Sequence, residues 1–213
     1  MENCRIYLKP KEDIRLKEGH LWVYSNEVKE IKGNIESGNL AYVYDDRGGF
    51  IGKGFLNTAS KIFVRILSRD AHESIDRDFF YQKIHAAKAM RESFGFENSY
   101  RVLFGEADGL PGLIIDKYGD YISIQILSLG IELRLDMFME ILIELFHPKG
   151  IIARNDVSVR KKEGLELYTK TLYGEVPDLI LAKENHLAIG FDLKSGQKTG
   201  SFLDQQENHQ KIK

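Results

Sequence analysis

Residues 40–56 read LAYVYDDRGGFIGKGFL, and this stretch decides the amino-terminal architecture. Leu40 to Asp45 and Phe50 to Leu56 are rich in aromatic and aliphatic residues, and Asp46-Arg47-Gly48-Gly49 between them is a hairpin turn signal. Lys61 to Leu67, KIFVRIL, continues the pattern, with Ile62, Val64 and Ile66 on one face and Phe63 and Arg65 on the other. Upstream, Arg5 to Leu8 and Leu21 to Tyr24 read as two further strands. Between them, Ile14 and Leu16 give Lys9 to Gly19 a helical spacing over a short span. Five short strands joined by glycine-rich turns predict a small closed β-barrel over residues 1–70.

Ser68 to Ser74, SRDAHES, is polar and without period, and it marks a boundary. Asp76 is placed to cap a helix over Arg77 to Phe94, with Phe80, Ile84, Ala87 and Phe94 on one stripe and Gly95 as its stop. Tyr100 to Phe104, Leu113 to Asp116 and Tyr121 to Leu127 predict three strands joined by the turn-rich GEADGLPG and KYGD. A helix over Glu132 to Phe146 then buries Met137, Phe138, Ile141, Leu142 and Leu145, ending at Pro148 and Gly150. Strands at Ile151 to Ala153, Leu165 to Leu172 and His186 to Leu193 complete an α+β pattern, with residues 74–185 as a central domain.

Residues 186–213 carry a last expected unit. Phe191 to Leu193 and Ser201 to Leu203 predict a β-hairpin about the turn Lys194-Ser195-Gly196, and Asp204 is placed to cap a helix starting at Gln205. Such a helix would stop within three turns and bury no apolar face. The reading is a piece of a larger protein whose remainder begins near Asp204.

Composition narrows the function classes. The 213 residues are 43% hydrophobic and 29% charged, with a net charge of −2, which is ordinary for a globular chain. A whole-chain basic footprint for nucleic acid is absent, which leaves room for a local basic face. The single cysteine, Cys4, permits neither an internal disulfide nor a thiolate metal site, and the six histidines show no metal-ligand spacing. No apolar run approaches the roughly 20 residues of a membrane span, and the amino terminus lacks signal-peptide character, so a cytoplasmic location is the expectation.

Three groups of residues could carry chemistry. His20, Trp22, Tyr24, Lys61 and Arg65 combine aromatic faces with cations, as single-stranded RNA recognition requires; the competing reading makes the aromatics core. Arg154, Arg160, Lys161 and Lys162 could fix phosphates, or form a solvated loop. Glu106 and Asp108 could act as a hydrolytic acid–base pair, or could cap the turns at Asp108-Gly109 and Pro111-Gly112.

Several co-linear blocks carry a resemblance to a known family. Gly196 to Asn208, GQKTGSFLDQQEN, resembles the approach to the catalytic domain of the S-adenosylmethionine (SAM)-dependent large-subunit ribosomal RNA methyltransferases of the cytosine-C5 type I family. Leu16 to Val28, LKEGHLWVYSNEV, resembles its RNA-binding PUA domain, while RVLFGEADGLPGLIIDKYGDY (101–121) and NDVSVRKKEGLE (155–166) resemble its central domain. One departure is Gln206, where the family usually has Arg. The resemblance implies ribosomal RNA as partner, SAM as the parent's cofactor, and a methyl-donor pocket edged by Gln197, Lys198, Thr199, Gly200, Phe202, Asp204 and Gln205. It also implies a thiolate that adds to cytosine C6. Cys4 lies in the first strand, far from the expected break, and Gly52-Lys-Gly54 lies inside a predicted hairpin where the cofactor's glycine turn would need a following helix. The expectation is therefore an RNA-recognition portion with no catalytic residue and no bound cofactor of its own. A free-standing RNA-binding adaptor is the alternative, and a homodimer is compatible with either.

Overall fold

The computed structural model describes residues 3–184, 187–205 and 208, which build an α+β molecule around three clusters of buried side chains. The first comprises β1 (Cys4–Leu8), a short α1 (Ile14–Lys17), β2 (Trp22–Tyr24), β3 (Val28–Lys32), β4 (Leu40–Tyr44), β5 (Phe50–Leu56) and β6 (Ile62–Ser68). The strands order as β2-β6-β5-β4-β1-β3, with β1 parallel to β4 and every other pair antiparallel. Ile6, Leu8, Leu16, Val23, Val43, Val64 and Ile66 fill its interior. β5 and β6 are buried on both faces, because Phe55 and Leu67 turn outward into the second core. The backbones of β5 and β6 touch closely enough that only glycine fits at 54, where a Cβ would lie 1.8 Å from the Arg65 carbonyl oxygen.

The second unit is a five-stranded sheet, β11-β10-β9-β8-β7, formed by β7 (Ser99–Phe104), β8 (Leu113–Tyr118), β9 (Tyr121–Ile126), β10 (Gly150–Asn155) and β11 (Tyr168–Gly174). Helices α2 (Arg77–Ser93), α3 (Leu129–Glu132) and α4 (Leu135–Phe146) complete it. Strand alternation sends Ile115, Ile122, Ile124, Ile126, Ile151 and Ala153 to one face, against Phe80 and Ile84 of α2 and Phe138, Ile141 and Leu142 of α4. Asp116, Tyr118, Ser123, Gln125, Ile152 and Arg154 therefore share the opposite face. A third cluster covers part of it: β12 (Ile180–Glu184) pairs antiparallel with β13 (Leu187–Phe191), and Val176, Ile180, Phe191, Leu193 and Leu203 pack on Tyr118 and Ile152.

The structure revises several expectations. The first sheet is curled but open, with β2 and β3 as its edges, and it has six strands where five were expected. The extra strand, Val28–Lys32, is mostly charged and exposed, so its apolar period is hidden. Asp76 accepts the Phe79 N–H at 3.1 Å and caps α2, and Gly95 supplies the left-handed stop at φ 84°. Phe94 does not join the buried stripe and is 75% exposed. The helix expected over 132–146 is two helices, split where Arg134 turns its guanidinium back onto the carbonyls of Gly130 and Gly38 at 2.8 Å each.

The carboxy-terminal hairpin lies earlier than expected, at 180–191, because residues 192–202 form turns. Asp192 Oδ1 accepts the N–H groups of Lys194 and Ser195, which offers this backbone a local alternative to strand pairing. A short 3-10 turn occupies Leu203–Gln205 where the capped helix was expected to begin. The start at His186 and the helix beyond Gln205 fall outside the described residues, apart from Asn208.

Gly54→Ala should lower stability by about 3 kcal/mol, since the added methyl meets backbone and not a yielding side chain. Urea unfolding of the variant against the wild type checks it; an unchanged midpoint would contradict the close β5–β6 approach.

Candidate nucleic-acid interface

His20, Trp22, Tyr24, Lys61, Arg65, Lys161 and Lys162 lie where the curled sheet meets the five-stranded unit. Trp22 on edge strand β2 is half-buried, with His20 edge-on at 5.6 Å, Tyr24 edge-on at 6.3 Å and the Arg65 guanidinium 5.6 Å from its ring centre. Its indole N–H donates to Glu106 Oε1 at 2.8 Å, and Arg15 lies 5.1 Å from the Tyr24 ring. The aromatic row is thus neither core nor free surface. All three rings are partly exposed, and the orientation of Trp22 is set by its bond to Glu106 of the second unit. His20 Nδ1 accepts the Trp22 N–H at 3.0 Å, and burial pushes the His20 pKa down, with the nearby Arg15 charge as a second cause.

Beneath this row, Arg65 is not available as a phosphate contact. It is buried, and it donates to Glu163 Oε1 at 2.7 Å. Glu163 is buried as well, and also accepts from Ser60 Oγ at 2.5 Å and from Asn57 Nδ2 at 3.0 Å. One carboxylate from the central domain thus binds three side chains of the first sheet. The contact sets the backbone of 57–60 against the 3-10 turn Ser158–Glu163, and Ala59 Cβ lies 3.6 Å from where a Cβ on Gly164 would be.

The basic cluster divides in two. Arg160 is buried: it donates to the Glu166 carbonyl at 2.8 Å, to the Ile126 carbonyl and to Glu132 at 3.0 Å, and stacks near Tyr168 at 5.1 Å. Arg154 is buried too, clamping Asp156 at 3.1 Å through two nitrogens and donating to the Leu193 carbonyl at 3.0 Å. Both were expected as phosphate contacts. Both instead spend their donors on internal oxygens, as a planar guanidinium can. Lys61, Lys161 and Lys162 are exposed, and the Ser60–Glu163 contact places Lys61 and Lys162 one residue away on either side of the junction.

The carboxylates of the 105–108 turn serve structure. Asp108 is held by Arg91 through two bonds at 2.7 and 2.8 Å and accepts the Phe104 N–H at 2.6 Å. Glu106 is engaged by Trp22. No His, Cys, Asp or Glu cluster able to hold a metal occurs among the described residues.

In the segment expected at the cofactor edge, Thr199 is buried with its hydroxyl donating to Asp116, while the Tyr118 hydroxyl sits 3.2 Å away and accepts the Ser201 N–H at 3.1 Å. Burial beside Asp116 pushes the Tyr118 phenol far up, so it stays a neutral donor. Gly200 sits at φ 142°, where a Cβ would meet Leu193 at 2.3 Å. Gln197, Lys198 and Phe202 are exposed, Lys198 lies 4.3 Å from the Phe202 ring, and Gln205 accepts from Asn208 at 2.6 Å. Asp204 belongs to the 3-10 turn by its backbone. The Thr199–Asp116–Arg101 linkage has no local signal, because Thr199 lies 83 residues from Asp116, which pairs across β7 and β8 with Arg101 and accepts from it at 2.9 and 3.0 Å.

Comparisons with known proteins bear on the fold and the family resemblance. Residues 6–69 match the family model of a PUA-like domain. The chain is 38% identical to the ribosomal RNA large subunit methyltransferase I of Aliivibrio fischeri (strain MJ11), over 97% of this chain and 53% of that protein. It is 40% identical to the protein of the same name from Shewanella amazonensis, with the same coverage. It also resembles a solved structure of a candidate SAM-dependent methyltransferase from Streptococcus mutans (TM-score 0.77, 21% identity, 97% of this chain and 53% of that one). A second candidate methyltransferase, complexed with SAH, gives a TM-score of 0.78 at 21% identity, over 96% of this chain and 52% of that one. At that identity the likeness speaks for the fold. The chain spans about half the length of the curated relatives it matches.

Two outcomes follow from the junction. Glu163→Ala leaves Arg65 buried without its partner and should cost about 3–5 kcal/mol in a urea titration. His20 has a folded pKa below the ordinary 6.5, so its contribution is present above that pH and is lost as pH falls through the folded value. The melting temperature should therefore decline on acidification below about pH 6.5, and less so in His20→Gln.

Proposed function

We propose that this chain is the RNA-recognition portion of a SAM-dependent methyltransferase acting on C5 of a cytosine in large-subunit ribosomal RNA, and that methyl transfer itself needs further polypeptide. The observation that carries the reading is identity of 38–40% to two proteins named as ribosomal RNA large subunit methyltransferase I, sustained over 97% of this chain, together with the PUA-like match at 6–69. Residues 1–70, 74–185 and 186–213 would be its RNA-binding domain, central domain and link to the catalytic part. A cytoplasmic setting accompanies this reading; no helix among the described residues is long and apolar enough to cross a membrane.

The RNA face consists of Lys61, Lys161 and Lys162 around the junction, with His20, Trp22 and Tyr24 beside it. Lysines that stay in solvent neutralise phosphates and release counterions, while half-buried rings offer edges and faces to unpaired bases. The alternation of a basic turn and an aromatic strand across two domains suits a single strand laid over the seam.

The residues at 197–205 do not by themselves fit SAM. Thr199, the best-placed hydroxyl, is turned inward to Asp116, and Gly200 packs on Leu193. Gly52-Lys53-Gly54 lies within buried strand β5, so it offers no turn ahead of a helix. Cytosine-C5 chemistry needs a thiolate at C6, and Cys4 is buried in β1, where desolvation pushes its thiol up and away from the reactive anion. No step is assigned to these residues beyond binding and orienting RNA.

Two measurements check this. With large-subunit RNA as probe, log affinity should fall with log salt, and Lys61→Ala/Lys161→Ala/Lys162→Ala should flatten the slope by about one unit per phosphate lost. A slope already flat in the wild type would remove the lysine face. With isotope-labelled SAM and the same RNA, the chain alone should transfer no methyl group; turnover would overturn the assignment of chemistry to further polypeptide.

A further inference from the structure

Trp22 of the first sheet is held by a carboxylate of the central domain that lies 84 positions later in the chain. Glu106 belongs to the 3-10 turn Gly105–Asp108, and 41% of its side chain is in solvent. The turn itself is anchored. Asp108 takes two bonds from Arg91 of α2 and accepts the Phe104 N–H. Gly105 at φ 46° and Gly109 at φ 74° supply the left-handed backbone at its two ends. Glu106 thus projects from a fixed backbone, and its Oε1 accepts the Trp22 indole N–H at 2.8 Å.

That bond matters for direction more than for stability. Both partners are partly in solvent, so water could serve the indole N–H at little cost. An indole has a single donor, however, and fixing that donor fixes how the ring is turned about its side-chain torsions. The buried Arg65 guanidinium covers one face of the ring at 5.6 Å. The exposure that Trp22 retains therefore comes from its opposite face and its edge. Arg65 Nη1 is also 4.0 Å from the same Glu106 oxygen, which ties this contact to the Glu163 seam. A carboxylate beside an RNA face is unfavourable for phosphates, and its service to the ring accounts for its place there.

We propose that Glu106 is a positioning residue for RNA, holding the Trp22 ring so that one unpaired base stacks on the face opposite Arg65. The proposal rests on the RNA reading above and deepens it: the central domain aligns a stacking ring that the PUA-like sheet carries. A base gains most from an aromatic face already turned toward it, because a ring that must be ordered on binding costs affinity. Glu106 touches the ring and not the RNA.

Trp22 is the single tryptophan, so its emission reports this ring alone. The probe is a dye-labelled single-stranded RNA of roughly ten nucleotides, whose affinity is read from the dye's anisotropy. In the wild type, RNA should quench Trp22 emission. Glu106→Ala should lower affinity about three- to tenfold, the ordering cost of one side chain, and should speed the ring's motion in time-resolved anisotropy without RNA. Glu106→Gln, whose amide oxygen can accept the same N–H, should restore both. Trp22→Phe keeps a ring without a donor; it should weaken binding, and adding Glu106→Ala to it should cause no further loss. Melting curves confirm folding, and if Glu106→Ala does not fold, unchanged affinity in Trp22→Phe overturns the proposal. A purely structural role would lower the melting temperature of Glu106→Ala and leave ring motion and RNA affinity as in the wild type, which also overturns it. Glu106→Gln as weak as Glu106→Ala would place the effect in the charge and refute the assignment. If RNA binds with Trp22 emission unchanged, the positioning role fails while the RNA reading stands. If no RNA binds at low salt, both fail together.

Discussion

The arrangement depends on one buried carboxylate. Glu163 leaves the central domain, enters the seam below the curled sheet and is met there by Arg65, Ser60 and Asn57. A charge this buried is tolerable only when nearly all its lone pairs are filled, and the partners are Asn57 and Ser60 of the turn between β5 and β6 and Arg65 of β6. The geometry is specific in a way apolar packing is not. A shift of either domain by one residue would strand both the carboxylate and the guanidinium. The Phe55 ring supplies the apolar half of the seam, with Arg134 stacked 4.0 Å from it and Gly130 pressed against its side chain, where a Cβ would come within 2.2 Å. Together these fix the orientation of Trp22, because its acceptor, Glu106, belongs to the other domain.

A second polar linkage ties down the far end of the chain. The five-stranded sheet has one apolar and one polar face, and the polar face would be costly if left to a dry cover. The 192–205 segment answers this with Thr199, which satisfies Asp116, and with the backbone of Ser201, which satisfies Tyr118. Arg154 reaches across to the Leu193 carbonyl for the same reason. The segment lies as an irregular strap because its hydrogen bonds go to side chains below it. A β-hairpin would have consumed those backbone groups in its own ladder.

Strand and helix periodicity made most of the fold legible. The strands around Asp46–Gly49, the cap at Asp76 and the buried face of Phe138, Ile141 and Leu142 could all be read from local pattern, since each is set by neighbours within a few residues. β3 was hidden, because an edge strand with charged residues at three of five positions has no apolar alternation to read. The split between α3 and α4 was hidden for another reason: Arg134 is drawn to Gly38, which lies 96 residues earlier. The site was legible as a set of residue types and not as roles. Aromatic and basic residues could be found by eye, but burial is a property of the tertiary fold.

The difference between arginine and lysine makes that limit concrete. By residue type alone, Arg65, Arg154 and Arg160 group with Lys61, Lys161 and Lys162. A guanidinium carries five donors in a plane and sheds water more readily than an ammonium, so it can serve several fixed oxygens at once inside a protein. Arg154 and Arg160 do this, to Asp156 and the Leu193 carbonyl and to the 126 and 166 carbonyls with Glu132, while Arg65 is spent on Glu163. An ammonium is held by its hydration, which keeps the three lysines in solvent. The frame of the junction is therefore built from arginine and its exposed charge from lysine. The buried arginines do not contribute to a field outside, since each is matched by a carboxylate or by carbonyl dipoles. A chain of net charge −2 can in this way present a local positive face: only the lysines at the seam count toward it, and Debye screening of roughly 10 Å hides the acidic residues elsewhere.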